Sequence, residues 1–508
     1  MRRPLRFLVN GLAVAGLAVV ASAQPIDLSG AVRRFVSAHQ QAIVGELVDL
    51  VSLPNVSSDA AAIRANAARL AKMFAARGFS TAILETAGNP LVFAELRVEG
   101  ATRTLLVYAH YDGQAVDPAR WTQPDPFTPV LRDGRVEAGA HEIALPATGR
   151  VEPDWRLYGR SVSDDKAPIV ALLAAVDALR DAGVQPTSNV RVVLDGEEEK
   201  GSASLASAVA RYRDKLAADA ILILDGPEHP SGRPTLYFGA RGIVTFTLTV
   251  YGPRSALHSG HYGNWVPNPA MRLAQLLASM KDDRGRVLID GFYDGINEIG
   301  PDELALLDGV PDAPDQLKRT FGIAAPENPE WSLQFSLQAP SLNVRGLSSG
   351  YVTEPRTIIP DRAEAALDMR LVKETPAVQM IEKVRAHLAK QGYYVVASDP
   401  DDQVRARYAR IVKLAVDPGS VNAFRTSMLL PVSRRMTDAL AGASGAPPVR
   451  VRTLGGTVPI TPFIDVLGVP AVGLAIVNFD NNQHAENENL RLGHLFDGIA
   501  SLAALLTM

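Results

Sequence analysis

No cysteine occurs anywhere in the 508 residues. That absence excludes disulfides and thiolate chemistry, and any metal site must be built from histidine, aspartate and glutamate. Without disulfides, stability must come from the size of the core, which a chain of this length can supply. A clustered basic face is also missing. Net charge is -4 and charged residues make up 21% of the chain, scattered along it, so nothing marks a nucleic-acid partner. No repeat and no low-complexity tract is found. Past the first two dozen residues, no apolar run approaches the roughly 20 residues that span a bilayer.

The apolar fraction of 47% is that of an ordinary globular protein, and the length implies more than one domain. The N-terminus reads differently. Arg2, Arg3 and Arg6 precede an apolar run from Phe7 to Val20, and Ala21-Ser22-Ala23 offers small residues for cleavage. This is the pattern of a secretory signal peptide over residues 1–23, cut after Ala23. A membrane anchor is the alternative, but the run is short for one. A periplasmic or secreted protein is therefore expected, with no membrane span after cleavage.

Apolar spacing of three and four residues predicts a helix from Gln40 to Arg77. Short, nearly continuous apolar runs follow at Thr104–Ala109, Val190–Leu194, Ala220–Leu224 and Ala471–Val477, as expected of strands buried on both faces of a parallel sheet. A helix from Pro168 to about Ala182 separates the first two. This alternation indicates a doubly wound, mostly parallel α/β domain. In the middle, Ile243–Val250 alternates apolar residues with threonine, suiting an antiparallel strand, and Ala363–Leu371 is a second candidate. A helix is expected over Pro376–Gln391. Residues 241–419 thus read as a smaller α+β domain, with lid and dimerisation roles, inserted between catalytic parts at 24–240 and 420–508. Within it, residues 290–330 look like a long surface excursion.

The acids and histidines fall where the apolar runs end. His110 and Asp112 follow the first run, Glu197, Glu198 and Glu199 the second, Asp225 the third and His484 the fourth. In an open α/β sheet, ligands bind beyond the carboxyl ends of the strands. Asp164 and Asp165 add two more acids ahead of a helix. So many carboxylates repel one another unless cations neutralise them. Imidazole with carboxylate, and no sulfur, suits Zn2+, Mn2+ or Co2+. Two such ions about 3.5–4 Å apart can hold a bridging water and polarise a carbonyl, with a spare carboxylate as general base.

The set His-Tyr-Asp-Gly-Gln (110–114), Gly-Arg-Ser-Val-Ser-Asp-Asp-Lys (159–166), Gly-Glu-Glu-Glu-Lys-Gly-Ser (196–202), Leu-Asp-Gly (224–226) and Gln-His-Ala-Glu-Asn-Glu (483–488) resembles the M20 metallopeptidases, nearest to their carnosinase and nonspecific-dipeptidase branch. The resemblance spans residues 40 to 500 and implies a two-metal site. In it His110 binds one ion, with Asp112 behind it, and Asp164 bridges both. Glu199 binds the second ion next to His484, or shares that task with Asp225. The Glu-Glu-x-Gly-Ser ending makes Glu198 the catalytic base and Glu197 a bystander. Leu-His-Ser-Gly-His-Tyr-Gly (257–263) resembles the motif whose histidine, here His258, reaches the partner subunit's site to stabilise an oxyanion, which implies a homodimer. Thr357, Arg370, Gly456 and Thr457 match positions that hold the substrate, with Arg370 on its terminal carboxylate. Gly113, Ala167 and Asp195 depart from the family pattern without removing a ligand. The segment 135–152 is longer than the family leads one to expect, and its His141 and Glu142 are expected to border the substrate pocket.

The expected reaction is two-metal hydrolysis of amide bonds in short peptides, foremost dipeptides. The same residues would also serve an N-acyl-amino-acid or carbamoyl amidohydrolase, and a catalytically silent metal- or peptide-binding protein is the reading from another class.

Overall fold

The structure, a computed structural model, describes residues 27–508; the signal peptide and its cleavage point lie outside the described residues. The chain opens with α1 (Leu28–Val51) and α2 (Ala60–Ala75), where sequence spacing predicts one helix over 40–77. The break has a local cause. Pro54 has no amide hydrogen to donate to a helical ladder. Asp59 then starts a new helix by accepting from the Ala61 and Ala62 amides at 3.1 and 3.0 Å, the service an N-cap performs.

Next come β1 (Ser80–Leu84), β2 (Leu91–Leu96), β3 (Thr104–His110), α3 (Ala167–Asp181), β4 (Asn189–Asp195), β5 (Ala220–Ile223) and β6 (Thr235–Tyr237). A second sheet follows from β7 (Gly242–Tyr251), β8 (Ser341–Ser348), β9 (Arg362–Leu371), β10 (Tyr394–Val396) and β11 (Ile411–Val416), with α4 (Pro269–Met280) and α5 (Ala377–Lys390). The chain returns to the first sheet through β12 (Val449–Val451) and β13 (Ala471–Ala475) and ends on α6 (Leu492–Leu506).

The larger sheet has the order β1-β2-β4-β3-β5-β13-β6-β12. Neighbours β4, β3, β5 and β13 are parallel, so their carboxyl ends meet at one edge. Val107 and Ala109 pack into the core under α1, α3 and α6, whereas Leu106 and Tyr108 pack on the opposite face with Leu205 and Phe463. Cover on both faces explains why these strands read as continuous apolar runs.

The smaller sheet, β8-β9-β7-β11-β10, carries its apolar core on one face. Val244, Phe246, Leu248 and Val250 of β7 are buried with residues of α4 and α5, and the intervening threonines take the other face. Its edge strand β8 is exposed along most of its length. The excursion at 290–330 contains two short helices, Pro301–Asp308 and Pro314–Phe321, each opened by proline and followed by glycine, the termini those residues favour.

The two crossings between the sheets are joined to each other. Gly239 and Ala240 pair antiparallel with Arg425 and Phe424, and Ile243 bridges Val421. The backbones approach so closely that a Cβ on Gly239 would lie 2.6 Å from Phe424 O, and one on Gly242 would strike Val421 O. No helix among the described residues is long and apolar enough to cross a membrane.

Candidate metal centre and active site

His110 ends β3, Asp195 ends β4, Asp225 follows β5, and His484 lies in the loop after β13. Because these strands are adjacent and parallel, the side chains converge. His110, Asp164 and Asp225 offer ligand atoms within 4.8 Å of one another, and so do Asp164, Glu199 and His484. The two groups share Asp164. His110 Nε2 lies 2.8 Å from Asp164 Oδ1, while His484 Nε2 lies 3.0 Å from Asp164 Oδ2 and 3.2 Å from Glu199 Oε2. The question the sequence leaves open is thereby answered geometrically: Glu199 sits with His484 and Asp225 with His110.

Asp112 is fully buried and holds four groups at once. Its Oδ1 lies 3.4 Å from His110 Nδ1. It also accepts from the backbone amides of Glu198 and Glu199, both at 3.1 Å, and from the Ser57 hydroxyl. One carboxylate therefore fixes the histidine ring and the turn that aims both glutamates. Glu197 points elsewhere, since a Cβ on Gly88 would lie 2.5 Å from its Oε1.

Glu488 stands in a sequence motif yet receives no role from the sequence reading. It is fully buried, and its Oε1 accepts from Ser163 N at 3.0 Å, Ser163 Oγ at 2.9 Å and Asp164 N at 3.0 Å. Its Oε2 accepts from Ser161 N and Arg160 Nη1, each at 2.9 Å. These five bonds set the loop that presents Asp164. The spacing of an acid four residues after His484 is the only local trace of this task, because its donors lie more than 320 residues away. Two amides also steer ligands: Gln114 Nε2 donates to Glu199 Oε2 at 2.7 Å and Gln483 Nε2 to Asp164 Oδ2 at 3.2 Å. Lys166, by contrast, donates to the carbonyls of Leu50 and Leu53 at 2.9 and 2.8 Å, so the motif's lysine is spent on the helix end and not on the carboxylates.

Arg370 Nη1 donates to Thr457 Oγ1 at 2.8 Å, which joins the smaller sheet to the loop holding Gly456. His258 is exposed and Thr357 is beside it, the Thr357 carbonyl accepting from Ser259 N at 2.9 Å. Among the described residues neither is hydrogen-bonded to the cluster. In the 135–152 segment, His141 is 86% exposed and faces Asp133. Glu137 touches the active-site loop, accepting from Asn482 Nδ2 at 3.1 Å, and Arg135 pairs with Asp480 at 3.3 Å.

The charge balance tests whether the site suits metal ions. Among the described residues no lysine or arginine pairs with Asp164, Glu199, Glu198 or Asp225; the only cationic partners are His110 and His484. Burial, and then Asp164, pushes the Asp225 carboxyl up to about 6. Burial also raises Glu198 well above its ordinary range, with Asp225, Glu199 and Asp164 adding to it against His110. Contacts with Asp164 and Glu199 raise His484 to about 10. Protons thus take up charge that divalent cations would neutralise, and oxygen and imidazole donors in two triads fit such ions.

A pH dependence follows for metal-free protein. Asp225 and Asp195 both have folded values of about 6 against 3.8, so the stability they contribute is present below pH 4 and lost as pH rises through 6. His484, raised from 6.5, loses its contribution only on the way to pH 10. Lys166, lowered by burial to about 7, acts in the opposite sense above that pH. Between pH 5 and 7 the melting temperature of metal-free protein should therefore fall, and the rise on adding Mn2+ or Zn2+ should be larger at pH 7 than at pH 5. Differential scanning fluorimetry reads both. An equal rise at the two pH values would show that metals do not bind these groups.

Comparison with known proteins gives consistent results. The model of peptidase family M20/M25/M40 matches residues 106–508. A Cys-Gly metallodipeptidase of Schizosaccharomyces pombe is 25% identical over 416 residues, covering 81% of this chain and 80% of that one. A beta-Ala-His dipeptidase of Rattus norvegicus is 26% identical over 426 residues, covering 82% and 79%. Among solved structures, an M20 family metallo-carboxypeptidase of Sulfolobus solfataricus superposes with a TM-score of 0.73 at 29% identity, covering 91% of this chain and 98% of that one. Human carnosine dipeptidase 1 does so at 0.72 and 22% identity, covering 95% and 98%, a likeness of fold.

Proposed function

Because the chain belongs to peptidase family M20/M25/M40, we propose that it is a two-metal dipeptidase acting on short unblocked peptides. The observation that carries this reading is the pair of ligand triads sharing Asp164, with Glu198 held beside them by Asp112. When bound, two divalent cations polarise the scissile carbonyl and acidify the attacking water. The donor set favours Zn2+, with Mn2+ or Co2+ served by the same atoms. Glu198 accepts the proton of that water and passes it to the leaving amine. Asp112 keeps His110 and both glutamates in register, and Glu488 keeps Asp164 in place. Arg370, with Thr457 and the Gly456 backbone, holds the substrate's terminal carboxylate by charge-assisted hydrogen bonds.

The test is release of free amino acids from unblocked dipeptides by purified protein, with and without added Mn2+ or Zn2+. Metal-dependent release is expected. Cleavage of N-acetylated amino acids alone would replace this reading by an amidohydrolase.

The proposed assembly is a homodimer in which His258 of one subunit donates to the oxyanion formed in the other. It is supported by the exposure of His258, the open edge of β8, and apolar residues turned to solvent on the same domain, Trp265 at 81% and Met271 at 61%. Replacing His258 with Ala should cost roughly 10²- to 10³-fold in kcat, the scale of one lost oxyanion donor. Mixing that variant with Glu198→Ala protein should recover activity, because each mixed dimer holds one site with both residues intact. No recovery after subunit exchange would refute action in trans. Export is proposed from the N-terminal pattern, and mature protein recovered outside the cytoplasm should begin at Gln24.

A further inference from the structure

Arg241 lies where the chain passes into the smaller sheet. Its amide donates to the carbonyls of Leu454 and Gly456, both at 3.1 Å, so it is fixed directly behind the loop that carries Thr457. Its side chain is buried, and Nη2 donates to Ala339 O at 3.0 Å and Ser341 Oγ at 2.8 Å. Ser341 is the cross-strand partner of Arg370. The two arginines are thus tied to the same small region, Arg370 through Thr457 and Arg241 through the same loop and Ser341.

Neither arginine has an anion. Among the described residues no carboxylate forms an ion pair with Arg241 or Arg370, and Arg241 Nε is buried without any partner. Asp368 is the one acid whose field helps Arg241, and its Oδ2 is taken by Asn343 Nδ2 at 3.0 Å. Burial, followed by repulsion from Arg370, pushes the Arg241 guanidinium down to about 10. A buried, unpaired guanidinium beside a second one is costly unless an anion arrives to face them. Ala339 and Ser341, the two acceptors of the Arg241 side chain, also border a cavity of about 1310 Å³ whose lining includes neither Arg241 nor Arg370.

We infer that Arg241 is a specificity-determining residue that, with Arg370, selects substrates whose C-terminal residue carries a second carboxylate, aspartate or glutamate. Arg370 takes the terminal carboxylate, and Arg241 supplies the charge that favours the acidic side chain. The inference rests on the dipeptidase reading and adds the class of residue preferred at the C-terminal position.

The test compares Ala-Glu with the isosteric Ala-Gln on metal-loaded wild-type protein and on Arg241→Gln. Wild type should prefer Ala-Glu by about tenfold in kcat/KM, the worth of one charge-assisted hydrogen bond, and the ratio should fall to near one in Arg241→Gln. A ratio taken on one preparation is independent of the fraction correctly folded, and Arg241→Lys, which keeps the charge without the fork, should fall between. A wild-type ratio near one, or a ratio unchanged by Arg241→Gln, overturns the inference while Ala-Gln turnover leaves the dipeptidase reading standing. Failure to cleave either peptide overturns both.

Discussion

Replacing Glu198 with Ala should lower dipeptide turnover by about 10³-fold or more while the protein still binds two metal ions per chain. A positioned general base contributes roughly 10²- to 10⁴-fold, and Glu198 belongs to neither ligand triad, so its loss removes proton transfer and not the metal site. Its backbone amide stays anchored to Asp112 at 3.1 Å, which keeps Glu199 in place beside it. Three consecutive glutamates give an internal control. Glu197 is turned toward Gly88, so Glu197→Ala should keep near wild-type turnover. Kinetics with a dipeptide, paired with metal analysis by mass spectrometry, separates the two. Full activity in Glu198→Ala, or loss of metal from it, would sink its assignment as base.

Asp164→Ala should have the largest effect on metal content of any single change. Asp164 is the only residue present in both triads, and its two oxygens face His110 and His484 at 2.8 and 3.0 Å. Removing it takes a ligand from both ions and leaves the two histidines without their shared carboxylate. Loss of an outer partner alone typically costs 10- to 100-fold in affinity, so loss of a shared ligand should exceed about 100-fold at each site. Asp225→Ala, which touches one triad, should spare one ion. Titration by calorimetry distinguishes the two variants; equal occupancy of two ions in Asp164→Ala would exclude a bridging role.

The convergence of the candidate ligands was legible because burial on both sheet faces writes an unmistakable apolar run, and these side chains sit where each run ends. His110, Asp225, His484 and the glutamates after Leu194 could be found this way, and Asp164 through its motif. The resemblance put Glu199 next to His484 but left the place of Asp225 open, since that depends on which parallel strands are neighbours. Glu488 was missed for a related reason. A side chain that acts from inside the protein, on donors hundreds of residues away, leaves no periodic trace and little local one. Pro54 and Asp59 were visible, but helical spacing on either side concealed the break between α1 and α2. The 135–152 segment drew attention to His141 and Glu142, yet Arg135 and Glu137 are in contact with the His484 loop, because the turn there is set by contacts from both sides of it.

The paired crossings at Gly239–Ile243 and Val421–Arg425 have a mechanical meaning. Two hydrogen-bonded strands side by side form a ribbon, which flexes readily across its thin direction but resists torsion and sliding. The inserted domain is therefore tied to the larger one by a strap that would restrict relative motion and hold Arg370 opposite Thr457. The glycines at 239 and 242 let the strap be thin, and any side chain there would splay the two strands and loosen the contact between Arg370 and Thr457. With entry and exit so close together, the large sheet is complete without the insert, so the inserted domain could be exchanged without redrawing the one that holds the ligand triads.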